Sequence, residues 1–155
     1  MKRIATTAAA TVIVLASTWA PAGASAAPRA AVSARAAKVQ LRRTSIGTIL
    51  VTGSGFTVYR FTRDPRNRNT CVTVTECSSI WPALRTTAKP IAGPGVKASL
   101  LSSIPLAGGG RQVTYAGHPL YTYAPSTERG ETSYSGVIEF GGTWDAVSAS
   151  GRLVG

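Results

Sequence analysis

The chain has 155 residues, 44% of them hydrophobic, and its 17 Lys and Arg against 6 Asp and Glu give a formal charge of +11. One histidine, two cysteines and a single, initiating methionine leave too few ligands for a metal centre, so no metal or cofactor is expected. The charge excess favours encounter with anionic partners without specifying one.

Lys2 and Arg3 precede an apolar run from Ile4 to Leu15, then Pro21, Gly23 and the small residues Ala24, Ser25 and Ala26. That order predicts a secretory signal peptide over 1–26, and hence a secreted, extracellular protein. No later stretch is apolar enough for a transmembrane segment. Lys2 and Arg3 leave with the leader, so the charge of +11 falls to +9. Residues 27–45 follow, rich in Ala, Arg and Ser, with Arg29, Arg35, Lys38, Arg42 and Arg43 and no aromatic residue. The composition predicts a disordered basic arm.

From residue 46 to 155 short runs of Val, Thr, Tyr and Phe alternate with Gly, Pro, Ser and Asn, which predicts one small all-β domain. IGTILVTGSGFTVYRFT reads as a hairpin turning at Gly53, Ser54 and Gly55, with Thr57, Tyr59 and Phe61 on the core face of its second strand. Asp64 before Pro65 reads as a turn residue. Cys71 and Cys77, with five residues between them in an exported chain, predict a disulfide. Gly108 to Gly110 lack the Lys and Ser/Thr of a phosphate loop and read as a link. RQVTYAGHPLYTY is a second hairpin, with His118 in its turn beside Pro119.

A shift of 62 residues lays this second hairpin over the first. It matches Val51 with Val113, Thr52 with Thr114, Gly55 with Gly117, Val58 with Leu120, Tyr59 with Tyr121 and Phe61 with Tyr123. A shift of 63 lays Trp81, Ala83 and Leu84 over Trp144, Ala146 and Val147. These matches predict two tandem hairpin-containing repeats, one over about 46–107 and one over about 111–150. Asp64 and the cysteine pair have no counterpart in the second repeat, where Ser126 stands in the place of Asp64. The recurring part is aromatic, and Tyr59, Phe61, Trp81, Tyr121, Tyr123 and Trp144 are expected to anchor the core.

GTILVTGSGFTVYRFTRD, the Cys71, Cys77 and WPAL group, QVTYAGHPLYTY and Trp144 together resemble a bacterial family of secreted repeats of unknown function, predicted lipoproteins with a Yx(F/W/Y)xxD motif. The resemblance spans most of 46–147. It implies an exported, β-rich domain of tandem units, frequent in envelope proteins, and brings no catalytic assignment. The chain lacks the lipidation cysteine of many members.

No GxSxG elbow is present, and Glu128 and Glu131 in TERGETS read as solvated charge, so no catalytic residues are assigned. Arg60, Arg63, Arg66 and Arg68 ring the motif and form a candidate anion-binding set, since arginine suits phosphate and carboxylate. No specific nucleic-acid motif is present. The functional expectation is a secreted, non-catalytic protein that associates with anionic cell-wall polymers or lipid headgroups. The rival is an enzyme, or a cofactor or metal carrier, with a site between the two repeats that uses the aromatic pairs and His118.

Overall fold

The computed structural model describes residues 35–155; the expected signal peptide and the arm as far as residue 34 lie outside the described residues. Eleven short strands make up most of the regular structure. They are β1 (Lys38–Thr44), β2 (Gly47–Thr52), β3 (Tyr59–Phe61), β4 (Arg85–Thr86), β5 (Ile91–Ala92), β6 (Leu101–Pro105), β7 (Arg111–Tyr115), β8 (His118–Pro119), β9 (Val137–Glu139), β10 (Gly142–Val147) and β11 (Leu153–Val154). An α-helical turn, α1 (Cys77–Ile80), begins at the second cysteine, and two 3-10 turns lie at Cys71–Thr73 and Ala98–Leu100. Three sheets result, in the orders β2-β1-β5, β11-β10-β3 with β9 also on β10, and β4-β7-β6 with β8 also on β7. The all-β expectation holds. Among the described residues no helix is long and apolar enough to cross a membrane.

The arm expected over 27–45 needs correction from Lys38 onward, because β1 pairs antiparallel with β2 from Val39 opposite Thr52 to Thr44 opposite Gly47. Val39 is fully buried and Leu41 packs beside it on the same core. Two apolar residues at a spacing of two are enough to give this strand an inward face. An average over 27–45, dominated by Ala and Arg, hides that alternation.

The first hairpin is present only at its tip. Thr52 donates its amide to the Phe56 carbonyl at 2.7 Å and Val58 donates to Leu50 at 3.2 Å. Beyond that point the chain leaves β2, and β3 pairs with β10 instead. Both faces of this stretch are covered, since Val58 lies in one apolar cluster while Tyr59 and Phe61 lie in another. The second hairpin turns on two residues, Ala116 and Gly117, both at positive φ (50° and 78°). Such primed turns match the right-handed twist of the strands. His118 is therefore the first residue of β8, opposite Tyr115, rather than a turn residue.

That difference in turn length alters the match between the hairpins. Val58 donates its amide to Leu50, and Leu120 donates to Val113 at 2.9 Å. Val113 thus stands where Leu50 does, not where Val51 does, and before the turn the offset is 63 rather than 62.

The pairings between the halves are reciprocal. Tyr59 lies opposite Ala146, and Tyr121 lies opposite Ala83. Ile49 bridges Ser148 while Gln112 pairs with Arg85. Each Trp-bearing segment therefore lies along the hairpin of the other half. The apolar clusters follow the same scheme, with Val39 and Leu101, Leu50 and Val113, and Val58 and Leu120 in one, and the aromatic residues with the cysteine pair in another.

Candidate functional site

The aromatic cluster is an ordered column. Trp81 and Trp144 stack in parallel with centroids 4.2 Å apart. Phe61 covers the far face of Trp144 at 4.1 Å, and Tyr123 covers the far face of Trp81 at 4.7 Å. Tyr134 continues the column from Tyr123 at 3.8 Å. Edge-on contacts complete it, Tyr59 against Trp81 at 5.2 Å and Tyr121 against Trp144 at 5.1 Å. Offset and edge-to-face contacts of this kind stabilise beyond the area they bury. Both indoles are fully buried, whereas Tyr123 and Tyr134 are half-exposed.

The indoles differ in their partners. Trp81 Nε1 donates to Glu139 Oε2 at 2.8 Å, while Trp144 Nε1 is buried without a partner among the described residues. The disulfide between Cys71 and Cys77, whose Cα atoms are 5.4 Å apart, packs in the same cluster. Closing so short a loop contributes on the order of 2–3 kcal/mol.

Asp64 keeps its turn, its amide donating to Phe61 at 3.1 Å, but its side chain does not face water. It is 95% buried, and its Oδ1 accepts from the Thr70 amide at 2.8 Å and from Thr70 Oγ1 at 2.7 Å. Oδ2 accepts from the Tyr121 hydroxyl at 2.5 Å. The carboxylate of the first motif thus binds the tyrosine that matches Tyr59. Burial pushes the Tyr121 phenol far above its ordinary pKa, and the adjacent Asp64 charge pushes it further. Tyr59 also rises, chiefly through burial, and its hydroxyl donates to the Glu131 carbonyl. Glu131, expected as solvated charge, is half-buried and accepts from Ser126 Oγ at 2.8 Å.

The four arginines are spread along the motif and its turn. Arg60 Nη1 donates to the Gly151 carbonyl at 3.0 Å, Arg63 Nη1 to Phe140 at 2.7 Å and Arg66 Nη1 to Ala116 at 2.9 Å. Arg68 is exposed on the turn. Arg60 and Arg66 are near His118: burial lowers the histidine's pKa, and the two positive charges lower it further. Arg63 points elsewhere, towards the β9–β10 turn. Opposite Arg60, burial raises the Asp145 carboxyl while the Gly136 amide and Arg60 pull it down. Among the described residues no group of three His, Cys, Asp or Glu could hold a metal ion.

Two surface hollows were not anticipated. A cleft of about 390 Å³ is lined by Thr87, Lys89 and Pro90 together with Ser102, Ser103 and Arg111. Arg111 in its wall is held by Ser103, donating through Nε to Ser103 Oγ at 2.8 Å and through Nη2 to the Ser103 carbonyl at 2.6 Å. Arg35 adjoins Thr87, whose amide donates to the Arg35 carbonyl at 3.0 Å. A smaller hollow of about 250 Å³ lies beside Tyr123, with Phe56 and Thr122 in its wall. No sequence signal marked either one, because each joins segments distant along the chain. Glu139, 58 residues from its partner Trp81, carried no signal for the same reason, whereas Thr70 lies only six residues from Asp64 and joins it because the turn folds back.

A family model described as a secreted repeat of unknown function matches residues 104–148, a stretch that includes β7 to β10 with Tyr121, Tyr123 and Trp144. No curated protein and no solved structure matches the chain.

Proposed function

We propose that this is a secreted, non-catalytic protein that binds anionic polymers of the cell envelope, and that the larger cleft is where it does so. The observation that carries this reading is the lining. Lys89 and Arg111 supply cations, Thr87, Ser102 and Ser103 supply hydroxyls, and among the described residues no carboxylate takes part. That combination suits a polyol chain bearing phosphate or carboxylate groups. Of the six acids, Asp64 and Asp145 are buried, which leaves the surface more basic than the composition alone. The reciprocal pairings at offsets of 62 and 63 support reading the domain as two tandem repeats with exchanged Trp-bearing segments.

Purified cell walls and vesicles of anionic lipid are incubated with the mature protein across a salt series. Retention on walls that falls with salt is expected, because exposed charge is screened. Lys89→Ala with Arg111→Ala should lower it severalfold, more than Arg63→Ala with Arg68→Ala. Salt-insensitive retention, or none, overturns the proposal. Stronger loss in the Arg63 and Arg68 variant moves the site to the motif arginines, and binding to vesicles alone replaces the polymer with lipid headgroups. A cofactor carried by protein from its own host, seen by native mass spectrometry, would revive the rival reading.

A further inference from the structure

We propose that Tyr121 is a redox-active tyrosine, with Asp64 as its proton acceptor and the aromatic column as its electron path to the surface. The site is independent of polymer binding in the cleft.

A phenol gives up an electron readily only when its proton can leave in the same event. In a dry interior that requires a base already in hydrogen-bond contact. Tyr121 is fully buried, and its hydroxyl donates to Asp64 Oδ2 at 2.5 Å. The two Thr70 donors fix the other carboxylate oxygen, so the acceptor is held in place before any electron moves. The edge of Tyr121 meets Trp144 at 5.1 Å, Trp144 stacks on Trp81 at 4.2 Å, and Tyr123 and Tyr134 follow at 4.7 and 3.8 Å. Consecutive rings are thus in contact from the buried phenol to the half-exposed pair.

The partners set where an oxidising equivalent comes to rest. Trp144 Nε1 has no acceptor for its proton among the described residues, so this indole only passes charge on. Trp81 does have one, Glu139, but a phenol with a base in contact is the easier group to oxidise. Tyr123 and Tyr134 can shed protons to water, yet radicals there are open to coupling and quenching by solutes. Tyr121 is closed to both. The hollow beside Tyr123 lets a small molecule reach the outer end of the path.

The ligand class is a small one-electron oxidant. It takes one electron at the Tyr123 end and is reduced by one. Tyr121 loses that electron, its phenolic proton moves to Asp64 Oδ2, and the products are a neutral tyrosyl radical and a protonated Asp64. A one-electron reductant at the same end reverses every step.

The test uses the mature protein and photogenerated ruthenium(III) tris-bipyridine, with freeze-quench electron paramagnetic resonance. A long-lived tyrosyl signal is expected. Tyr121→Phe, which keeps the ring, should abolish it, and Tyr123→Phe should slow its formation. Asp64→Asn should shorten its lifetime severalfold. Should Asp64→Asn not fold, as judged by circular dichroism, the wild-type protein in deuterated buffer serves instead, and its signal should form more slowly. The proposal is overturned if the wild type gives no protein radical, if Tyr121→Phe leaves the signal unchanged, or if neither Asp64→Asn nor deuteration has an effect.

Discussion

Tyr59 and Tyr121 exchange both backbone hydrogen bonds, Tyr59 donating to Tyr121 at 2.9 Å and Tyr121 donating back at 3.0 Å. They stand 62 residues apart and match each other in the two aromatic hairpins. Their meeting point is where the halves join: Ala146 and Ala83 lie on their outer sides, and the Trp81–Trp144 stack lies against their rings. A change at either tyrosine therefore acts on both halves.

The Asp64–Tyr121 bond should be a large single contribution to stability. Tyr121→Phe leaves a buried carboxylate oxygen short of a donor, at a cost of about 1–3 kcal/mol. Asp64→Ala strands the Tyr121 hydroxyl and both Thr70 donors and should cost more. Urea unfolding of the variants checks this, with the midpoint shifted and the slope unchanged.

Alkaline pH should unfold the protein through its buried phenols. Tyr121 and Tyr59 have pKa values raised above the ordinary 10.0, so above that pH the unfolded chain loses protons that the folded one keeps. The unfolded state then binds fewer protons, and stability falls as pH rises. The effect is absent below pH 10.0 and grows above it. Urea midpoints measured across that value should decline for the wild type and decline less for Tyr59→Phe with Tyr121→Phe.

Gly117 should resist replacement. Its φ is 78°, and an added Cβ would lie 2.6 Å from Arg66 Nη2. Left-handed backbone and crowding combine, so Gly117→Ala should cost about 1–3 kcal/mol. It should also loosen the Arg66 bond to Ala116. Thermal unfolding of Gly117→Ala and of Gly117→Ala with Arg66→Ala separates the two causes, the second variant recovering only the steric part.

Local pattern was a good guide wherever the determining residues were neighbours. The aromatic positions, the cysteine pair and the two turns could be read from residue type and spacing, because periodicity and turn chemistry act over a few residues, save that His118 belongs to β8 and not to the second turn. β1 was missed because two apolar residues were lost in a basic average. The anion-binding set was drawn from Arg60 to Arg68 by proximity along the chain, yet three of those guanidinium groups reach carbonyls at Gly151, Phe140 and Ala116.

Residue type and order alone determined a basic, β-rich chain with a disulfide and matching aromatic hairpins. The tertiary structure decided which hairpin each Trp segment lies along, that Asp64 reaches across to Tyr121, and that Lys89 and Arg111 share a cleft with three hydroxyls. The physical reason lies in range. A side chain's bias on its own turn or strand is written within a few residues, whereas a buried hydrogen bond between positions 64 and 121 exists only after the whole core has closed around it.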